Sequence, residues 1–287
     1  MPLDEDKYPQ DTGRRRFVKG VVGSAALASV SAAGGAAITT ATNRSGAGGG
    51  ATEFIGIENT AGPAPRGMPI VPIRINDDNE LEGIWPEVSE VQSGGGTVTV
   101  AEQDVGGTTY SSTWFQYCGV QQYPTVRPDL EADNRFVAEP GTYEWMSDME
   151  KGQPLTVDDF SDYQNWGNGI GRDGLGKPAM GKWRQNEEGR PLPIQVIRSP
   201  EVPKMAAGEG KYSEIPSDVR SFIDAATEQS FLAYLDKCTH FCCVPQGFKT
   251  TADAGAEDAV YCQCHQSVYD PFSPVKKQFV ALPRPEE

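Results

Sequence analysis

Short apolar runs separated by polar turns predict strands over much of residues 85–287. The clearest runs are Thr97–Val100, Ile194–Ile197, Phe231–Leu235 and Phe279–Leu282. One segment has a helical pattern instead, because Ser217–Ala226 begins with Ser and Asp and places its apolar residues at helical spacing. We therefore predict strands with one short helix in this part of the chain, and additional β structure in an elaborate insert over residues 85–180.

The N-terminal segment has a different pattern. A charge-free run from Gly20 to Asn43 follows the basic sequence Arg14–Lys19. At ~1.5 Å per residue, a helix of this length is long enough to span a bilayer core of ~30 Å. The basic sequence, RRRFVK, fits the twin-arginine export pattern. We predict a signal or membrane anchor over residues 1–43, with its cleavage left open, and a flexible Gly-rich linker or hinge region over 44–84.

Charge narrows the range of partners. The chain has 40 acidic and 25 basic residues and a net charge of −15. Such an excess of negative charge disfavours nucleic acid as a partner. Because the acidic residues are spread along the whole chain, the composition favours the proteome of a salt-adapted, halophilic archaeon, in which molar salt screens the repulsion between them.

Two short boxes near the C-terminus hold the candidate chemistry. The first reads Cys238-Thr-His240-Phe-Cys-Cys243 and the second Cys262-Gln-Cys264-His265-Gln-Ser. Together they contain both histidines and five of the six cysteines. Each box can offer one thiolate and one imidazole to a single inorganic centre. Thiolate and imidazole suit both zinc and iron–sulfur clusters, so the ligand types alone leave two candidates.

The two boxes resemble those of the Rieske iron–sulfur proteins, which read approximately CTHxGC and CPCHGS. This resemblance covers about residues 181–287 and implies an all-β Rieske fold, an antiparallel β-sandwich base domain with a small cluster-binding subdomain over about 236–273. The Rieske domain as a whole would extend over 85–287. The resemblance also implies that the segments around Trp183 and Leu192 form a strand pair of the base domain. A turn is expected at Tyr269–Pro271.

The resemblance implies a role for each residue of the boxes. Cys238 and Cys262 would bind one iron of a single [2Fe–2S] cluster, and His240 and His265 the other. Cys243 and Cys264 match the disulfide pair of the family. Ser267 and Tyr269 match two hydroxyl donors of the high-potential branch of the family, one to a bridging sulfide and the other to a ligand sulfur, which raise the potential.

Three residues of the boxes differ from the family pattern. Cys242 and Gln266 replace Gly, and Gln263 replaces Pro. A side chain at position 242 or 266 restricts backbone angles that Gly permits. Cys118 and Cys242 have no assigned role, and we expect buried thiols there rather than a second disulfide.

The function implied by the resemblance is electron transfer. The chain would be the Rieske subunit of a quinol-oxidising cytochrome bc type complex, in which His265 or His240 contacts quinol. Its partners would be a cytochrome b type subunit and, as acceptor, a cytochrome c or blue copper protein. The twin-arginine route exports proteins already folded around such cofactors, which places the cluster domain on the outer face of the cell membrane, where disulfides persist.

Two alternatives remain open. The chain could serve another membrane oxidoreductase, of the nitrate reductase or arsenite oxidase type. It could also be a zinc-stabilised extracellular binding domain, although structural zinc sites typically space their ligands as CxxC and HxxxH. Cytoplasmic oxygenase ferredoxins are disfavoured, because they lack the two disulfide cysteines.

Overall fold

The computed structural model describes residues 50–63, 66–93, 96–187, 189–240, 242–252 and 255–284. The predicted export signal and anchor over residues 1–43 lie outside this part of the chain. Within the described ranges, no helix combines the length and the apolar character needed to cross a membrane.

Most of the regular structure in these ranges is β-sheet, and every strand pairing is antiparallel. The strands are β1 (Gly50–Ala61), β2 (Gly67–Val71), β3 (Ile73–Ile75), β4 (Leu81–Gly83), β5 (Val88–Ser93), β6 (Gly96–Val105), β7 (Thr108–Ser111), β8 (Val137–Ala138), β9 (Lys177–Trp183), β10 (Leu192–Arg198), β11 (Phe231–Leu235), β12 (Val260–Cys262) and β13 (Ser267–Ala281). The strand content is consistent with the all-β prediction.

Helices are few and short in the described part of the chain. Two α-helices occur there, α1 (Glu201–Ala207) and α2 (Ser217–Ala226). Single turns of 3-10 helix lie at Ser112–Phe115, Val120–Gln122, Pro124–Val126, Glu144–Met146, Asp158–Phe160 and Gly210–Tyr212. Most of these turns fall within the predicted insert, which therefore consists largely of turns and short strands.

The strand order places the second box at the edge of the main sheet and the first box after an inner strand. Eight strands pair in the order β12-β13-β1-β2-β11-β10-β9-β8. Strands β3 and β4 form a separate pair, and β5, β6 and β7 form a three-stranded sheet. Strand β11 leads into the first box, whereas β12 and β13 flank the turn of the second. The chain thus brings its two boxes from different strands of the same sheet.

The local patterns predicted several elements correctly. Helix α2 has the predicted bounds, and its apolar side is buried at Val219, Phe222 and Ile223. Strand β11 also has its predicted bounds and is buried throughout. The expected pair around Trp183 and Leu192 is β9 and β10, which pair directly at these two residues.

Two predictions about the chain's course are wrong for the described residues. The predicted flexible linker over 44–84 is wrong for residues 50–63 and 66–84, which contain β1 to β4, and β1 pairs with both β13 and β2. Phe54, Ile55 and Ile57 are buried there, and the resulting apolar contacts hold β1 in the sheet. The expected turn at Tyr269–Pro271 is instead part of the long strand β13, which accommodates its prolines at an irregularity in the pairing with β1.

A cluster of aromatic rings forms the centre of the core beside the insert. Trp183 packs edge-on against Phe115, with 5.6 Å between ring centroids, and Trp85 stacks on Phe115 at 5.9 Å. The buried guanidinium of Arg184 lies 3.9 Å from the ring centroid of Trp85. Its Nε donates to the Thr125 carbonyl at 3.1 Å. Burial lowers the pKa of Arg184 to about 10. The insert is thus packed into the core.

Candidate metal centre

The second box is a tight hairpin turn. Cys262 is the last residue of β12 and pairs with Ser267, the first residue of β13. Residues 263–266 form the turn between them. Because side chains alternate along a strand, Ser267 and Tyr269 lie on the same face of β13. Strand pairing therefore fixes the positions of the cysteine and both hydroxyl residues.

The first box is a loop that begins after β11. Its two ends are joined by a backbone hydrogen bond from the Cys238 amide to the Cys243 carbonyl, 2.8 Å long. Lys237 adds a second closure, since its Nζ donates to the Cys242 carbonyl at 2.9 Å. The loop then runs alongside β12, where the Gln246 amide donates to the carbonyl of Tyr261 at 2.8 Å. The two boxes are thus held side by side.

The predicted ligands converge between the two loops. The Sγ of Cys238 lies 3.4 Å from the Nδ1 of His240. The Cys238 and Cys262 thiols are in hydrogen-bond contact with each other. The rings of His240 and His265 have centroids 6.5 Å apart. Both thiols are buried and free, whereas His240 is half-buried and His265 is exposed.

Two buried hydroxyl groups border the ligands. The Tyr269 hydroxyl donates to Cys238 Sγ at 3.4 Å and lies 3.3 Å from the Nδ1 of His240. Ser267 Oγ is also 3.3 Å from this nitrogen. Both side chains are fully buried. Both hydroxyls therefore contact the predicted ligands of the first box.

The hydrogen bonds around Cys238 favour its thiolate. The Cys262 thiol, the Tyr269 hydroxyl and the backbone amide of His240 donate to its sulfur and lower the pKa of Cys238 to about 4, although burial opposes this shift. The pKa of Cys262 is raised, chiefly because its thiol is the donor in the bond to Cys238. The thiolate is the form of cysteine that binds a metal. These hydrogen bonds therefore favour one thiolate shared by the Cys238 and Cys262 pair.

The four other cysteines form two disulfides. Cys243 and Cys264 are joined, as the resemblance implies, and this bond ties the two boxes together. The sulfurs of Cys243 and Cys264 also lie close to that of Cys262, but because these two form a disulfide, Cys262 is the only one of the three with a free thiol. Cys118 and Cys242 are also joined, so the expectation of buried thiols at these positions is wrong. A loop of the insert brings Cys118 to Cys242 across 124 residues of sequence.

The donor set fits a metal centre. Cys238 and Cys262 are free thiols in contact with each other, whereas the other four cysteines are paired. Two sulfur and two imidazole donors suit a [2Fe–2S] cluster with mixed ligands, and they also suit tetrahedral zinc. The hydroxyls of Ser267 and Tyr269 are additional donors that a closed structural zinc site does not require.

Two of the three positions that differ from the family pattern have a backbone conformation that favours glycine. Cys242 has φ 58° and Gln266 has φ 57°, both in the left-handed region. L-residues adopt this region at a cost of about 1–2 kcal/mol. The chain therefore keeps the left-handed geometry with a side chain at both positions. Gln263 stands at the start of the turn without such a conformation.

The structure adds three residues that the sequence did not single out. Gly62, at φ 111°, lies so close to Ser267 that an added Cβ would be 2.8 Å from the Ser267 Cα. Arg66 donates through Nη1 to the Thr239 carbonyl at 2.9 Å. Tyr117 donates from its hydroxyl to the Lys237 carbonyl at 2.8 Å. All three contacts join residues that are distant in sequence, so no local pattern indicated them.

Comparison with known proteins gives no relative for this chain. No family model matches it, and neither a curated protein nor a solved structure is significantly similar.

Proposed function

We propose that this chain is a Rieske-type iron–sulfur protein, the electron-transfer subunit of a quinol-oxidising cytochrome bc type complex. The observation that carries the proposal is the convergence of two free thiols and two imidazoles from loops joined by a disulfide. Cys238 and Cys262 would hold one iron, and His240 and His265 the other. We further propose that the antiparallel sheet is the base of a Rieske fold, with residues 236–273 as the cluster-binding subdomain.

The chemistry follows from the ligand types. A [2Fe–2S] cluster with two histidine ligands supplies one-electron transfer at a potential of roughly −150 to +300 mV. Tyr269 and Ser267 place buried hydroxyls against the ligand atoms. Hydrogen bonds from such groups to the sulfur atoms or ligands of a cluster stabilise its more negative, reduced state and raise its potential. This arrangement favours the high-potential range that quinol oxidation requires.

The histidines supply the contact with the substrate. His265 is exposed, and His240 borders a cavity of about 490 Å³ with Tyr117, Phe279 and Leu282 among its walls. An imidazole nitrogen at the surface can accept a hydrogen bond from a quinol hydroxyl and then its proton. The apolar side chains around His240 suit contact with the rings of a quinol or with an apolar partner surface. The cytochrome b type subunit would receive the second electron.

The location is part of the same proposal. We place the domain on the outer face of the cell membrane, anchored by residues 1–43. Its two disulfides support this location, because such bonds persist in oxidising compartments. A cytochrome c or blue copper protein would then be the electron acceptor.

Electron paramagnetic resonance (EPR) at low temperature tests the function. The full chain in its membrane is reduced with ascorbate, and iron, sulfide and zinc are determined on the same sample. A rhombic signal with mean g below 2 that responds to a quinone-site inhibitor is the expected result. The same signal without a response to inhibitor would favour the nitrate reductase or arsenite oxidase type. Zinc in place of iron, with no signal under ascorbate or dithionite, would overturn the redox function.

A further inference from the structure

The short segment Tyr117–Gly119 of the insert is attached to the first ligand loop at three points. The Tyr117 hydroxyl donates to the Lys237 carbonyl at 2.8 Å, one residue before the ligand Cys238. Cys118 is bonded to Cys242. The sulfur of Cys118 also lies 3.6 Å from the carbonyl oxygen of His240. Because this sulfur is in a disulfide and has no proton to donate, the last contact is one of packing.

These attachments lie on both sides of His240 in the sequence. On the N-terminal side of His240, Tyr117 holds Lys237 through a hydrogen bond. On its C-terminal side, Cys118 holds Cys242 through the disulfide. Lys237 and Cys242 are also bonded to each other through the Lys237 Nζ, at 2.9 Å. The loop that carries His240 is therefore fixed to the insert at both of its ends. Its partner, the hairpin of Cys262 and His265, is fixed by strand pairing instead.

The approach of the two segments depends on their backbone conformations. Gly119 has φ 75°, and a Cβ added to it would lie 3.2 Å from the sulfur of Cys242. Cys118 and Cys242 have φ values of 40° and 58°. Consecutive left-handed residues at 118 and 119 turn the insert back just where it meets the loop. A side chain at position 119 would crowd the disulfide.

The insert also contacts the ligand-free segment between the two boxes. The Tyr143 hydroxyl donates to the Phe248 carbonyl at 2.8 Å, and Asn168 Nδ2 donates to the Lys249 carbonyl at 2.8 Å. An added Cβ at Gly247 would lie 2.3 Å from the Tyr143 hydroxyl. These contacts hold the same subdomain without adjoining a ligand. Variants at these contacts therefore test whether the insert supports the whole subdomain or positions His240 in particular.

We propose that Tyr117 and the Cys118–Cys242 disulfide are positioning residues for His240, through which the insert sets the orientation of this imidazole at the metal centre. The inference rests on the proposed function for its consequence at the cluster. The orientation matters because the Nδ1 of His240 has Cys238 Sγ, Ser267 Oγ and the Tyr269 hydroxyl within 3.3–3.4 Å. A small movement of the loop would change all three contacts together.

The test compares variants on the two sides of the subdomain in the cluster-containing, full-length protein. Cys118→Ser/Cys242→Ser removes the disulfide, and Tyr117→Phe removes only the hydroxyl bond to Lys237. Tyr143→Phe is the matched control, since it removes a hydroxyl bond of the same length to the ligand-free segment. For each protein we measure the EPR linewidth and the number of spins per chain. We also measure amide hydrogen exchange of the peptide that contains residues 238–244.

The expected result is a broader EPR signal and faster exchange in residues 238–244 for the double serine variant, and a smaller change of the same kind for Tyr117→Phe. Tyr143→Phe should keep the wild-type linewidth. Unchanged linewidths and exchange in the first two variants would overturn the inference, as would equal broadening in all three. If the double variant does not fold, Tyr117→Phe decides. A wild-type protein without the signal would contradict the proposed function, and hydrogen exchange would still show whether the insert holds the loop.

Discussion

The two ligand loops offer the same donors but are built differently. The second is a four-residue turn between paired strands, so its geometry is determined within about ten residues of sequence. The first is an irregular loop whose ends are held by Lys237, by Tyr117 and by a disulfide to the insert. One loop is therefore self-supporting, whereas the other depends on distant parts of the chain.

The residues that would bind the metal and the residues that would position them are therefore close together in the second loop and far apart in sequence in the first. A hairpin can present Cys262 and His265 wherever its two strands pair. The described residues of the first loop show no strand pairing, so bonds within the loop and contacts with the insert hold it instead. We infer that the insert compensates for the missing strand partner. Substitutions in the hairpin should therefore act locally, whereas substitutions in the insert should act on the first loop at a distance.

The largest expected effect is loss of the cluster in His265→Ala. The side chain is exposed, so its removal should not disturb the packing of the hairpin. It would, however, remove one of the two proposed ligands of an iron. We expect iron and sulfide per chain and the EPR signal to fall to background.

Gln263→Ala is the control for that experiment, since Gln263 is an exposed residue of the same turn and no proposed ligand. It should retain the full iron content. A normal cluster in His265→Ala would sink the ligand assignment, while loss of the cluster in both variants would show that the turn itself is too fragile for the comparison.

The two disulfides should differ in their contribution to stability. Cys243–Cys264 closes a separation of 21 residues and Cys118–Cys242 one of 124. In the chain-entropy model, loops of these lengths correspond to about 3 and about 5 kcal/mol. Replacing either pair with serine should lower the free energy of unfolding, and the loss should be larger for the Cys118–Cys242 pair. Denaturant titration under non-reducing conditions measures both losses. A larger loss for the Cys243–Cys264 pair would show that contacts in the folded loops, and not chain entropy, dominate.

The sequence predicted the self-supporting parts of the molecule and missed the dependent ones. Helix α2 and strand β11 were predicted with their bounds because their apolar residues recur at local spacing. The convergence of the boxes was predicted because each is a short motif. The bond between Cys118 and Cys242 was missed because nothing near either residue indicates a partner 124 positions away. The linker prediction misses strand β1 because the Gly-rich start of that region conceals the apolar residues after it.

Ser267→Ala should lower the midpoint potential and leave the cluster in place. Its hydroxyl is buried and 3.3 Å from the Nδ1 of His240, so the variant loses one polar contact at the ligands. A hydrogen bond that is stronger by about 1–1.5 kcal/mol in the reduced state than in the oxidised state corresponds to roughly 40–60 mV for a one-electron couple. A redox titration monitored by EPR measures this shift. The control is Ser273, which lies in β13 like Ser267 and whose hydroxyl donates to Glu58 of β1. Ser273→Ala is expected to leave the midpoint unchanged. An unchanged midpoint in Ser267→Ala as well would refute the hydroxyl's role.

The smallest expected effect concerns the backbone of the hairpin. Gln266 occupies the left-handed region at φ 57°, where glycine has no steric penalty. Gln266→Gly should therefore raise the free energy of unfolding by about 0.5–1 kcal/mol, since the relief of steric strain exceeds the larger entropy that glycine loses on folding. Gln263→Gly, in the same turn but without a positive φ, should lower it instead. Because strand pairing already fixes this turn, neither variant should change the EPR linewidth; broadening in Gln266→Gly would mean that the hairpin, like the first loop, depends on a side chain for its precision.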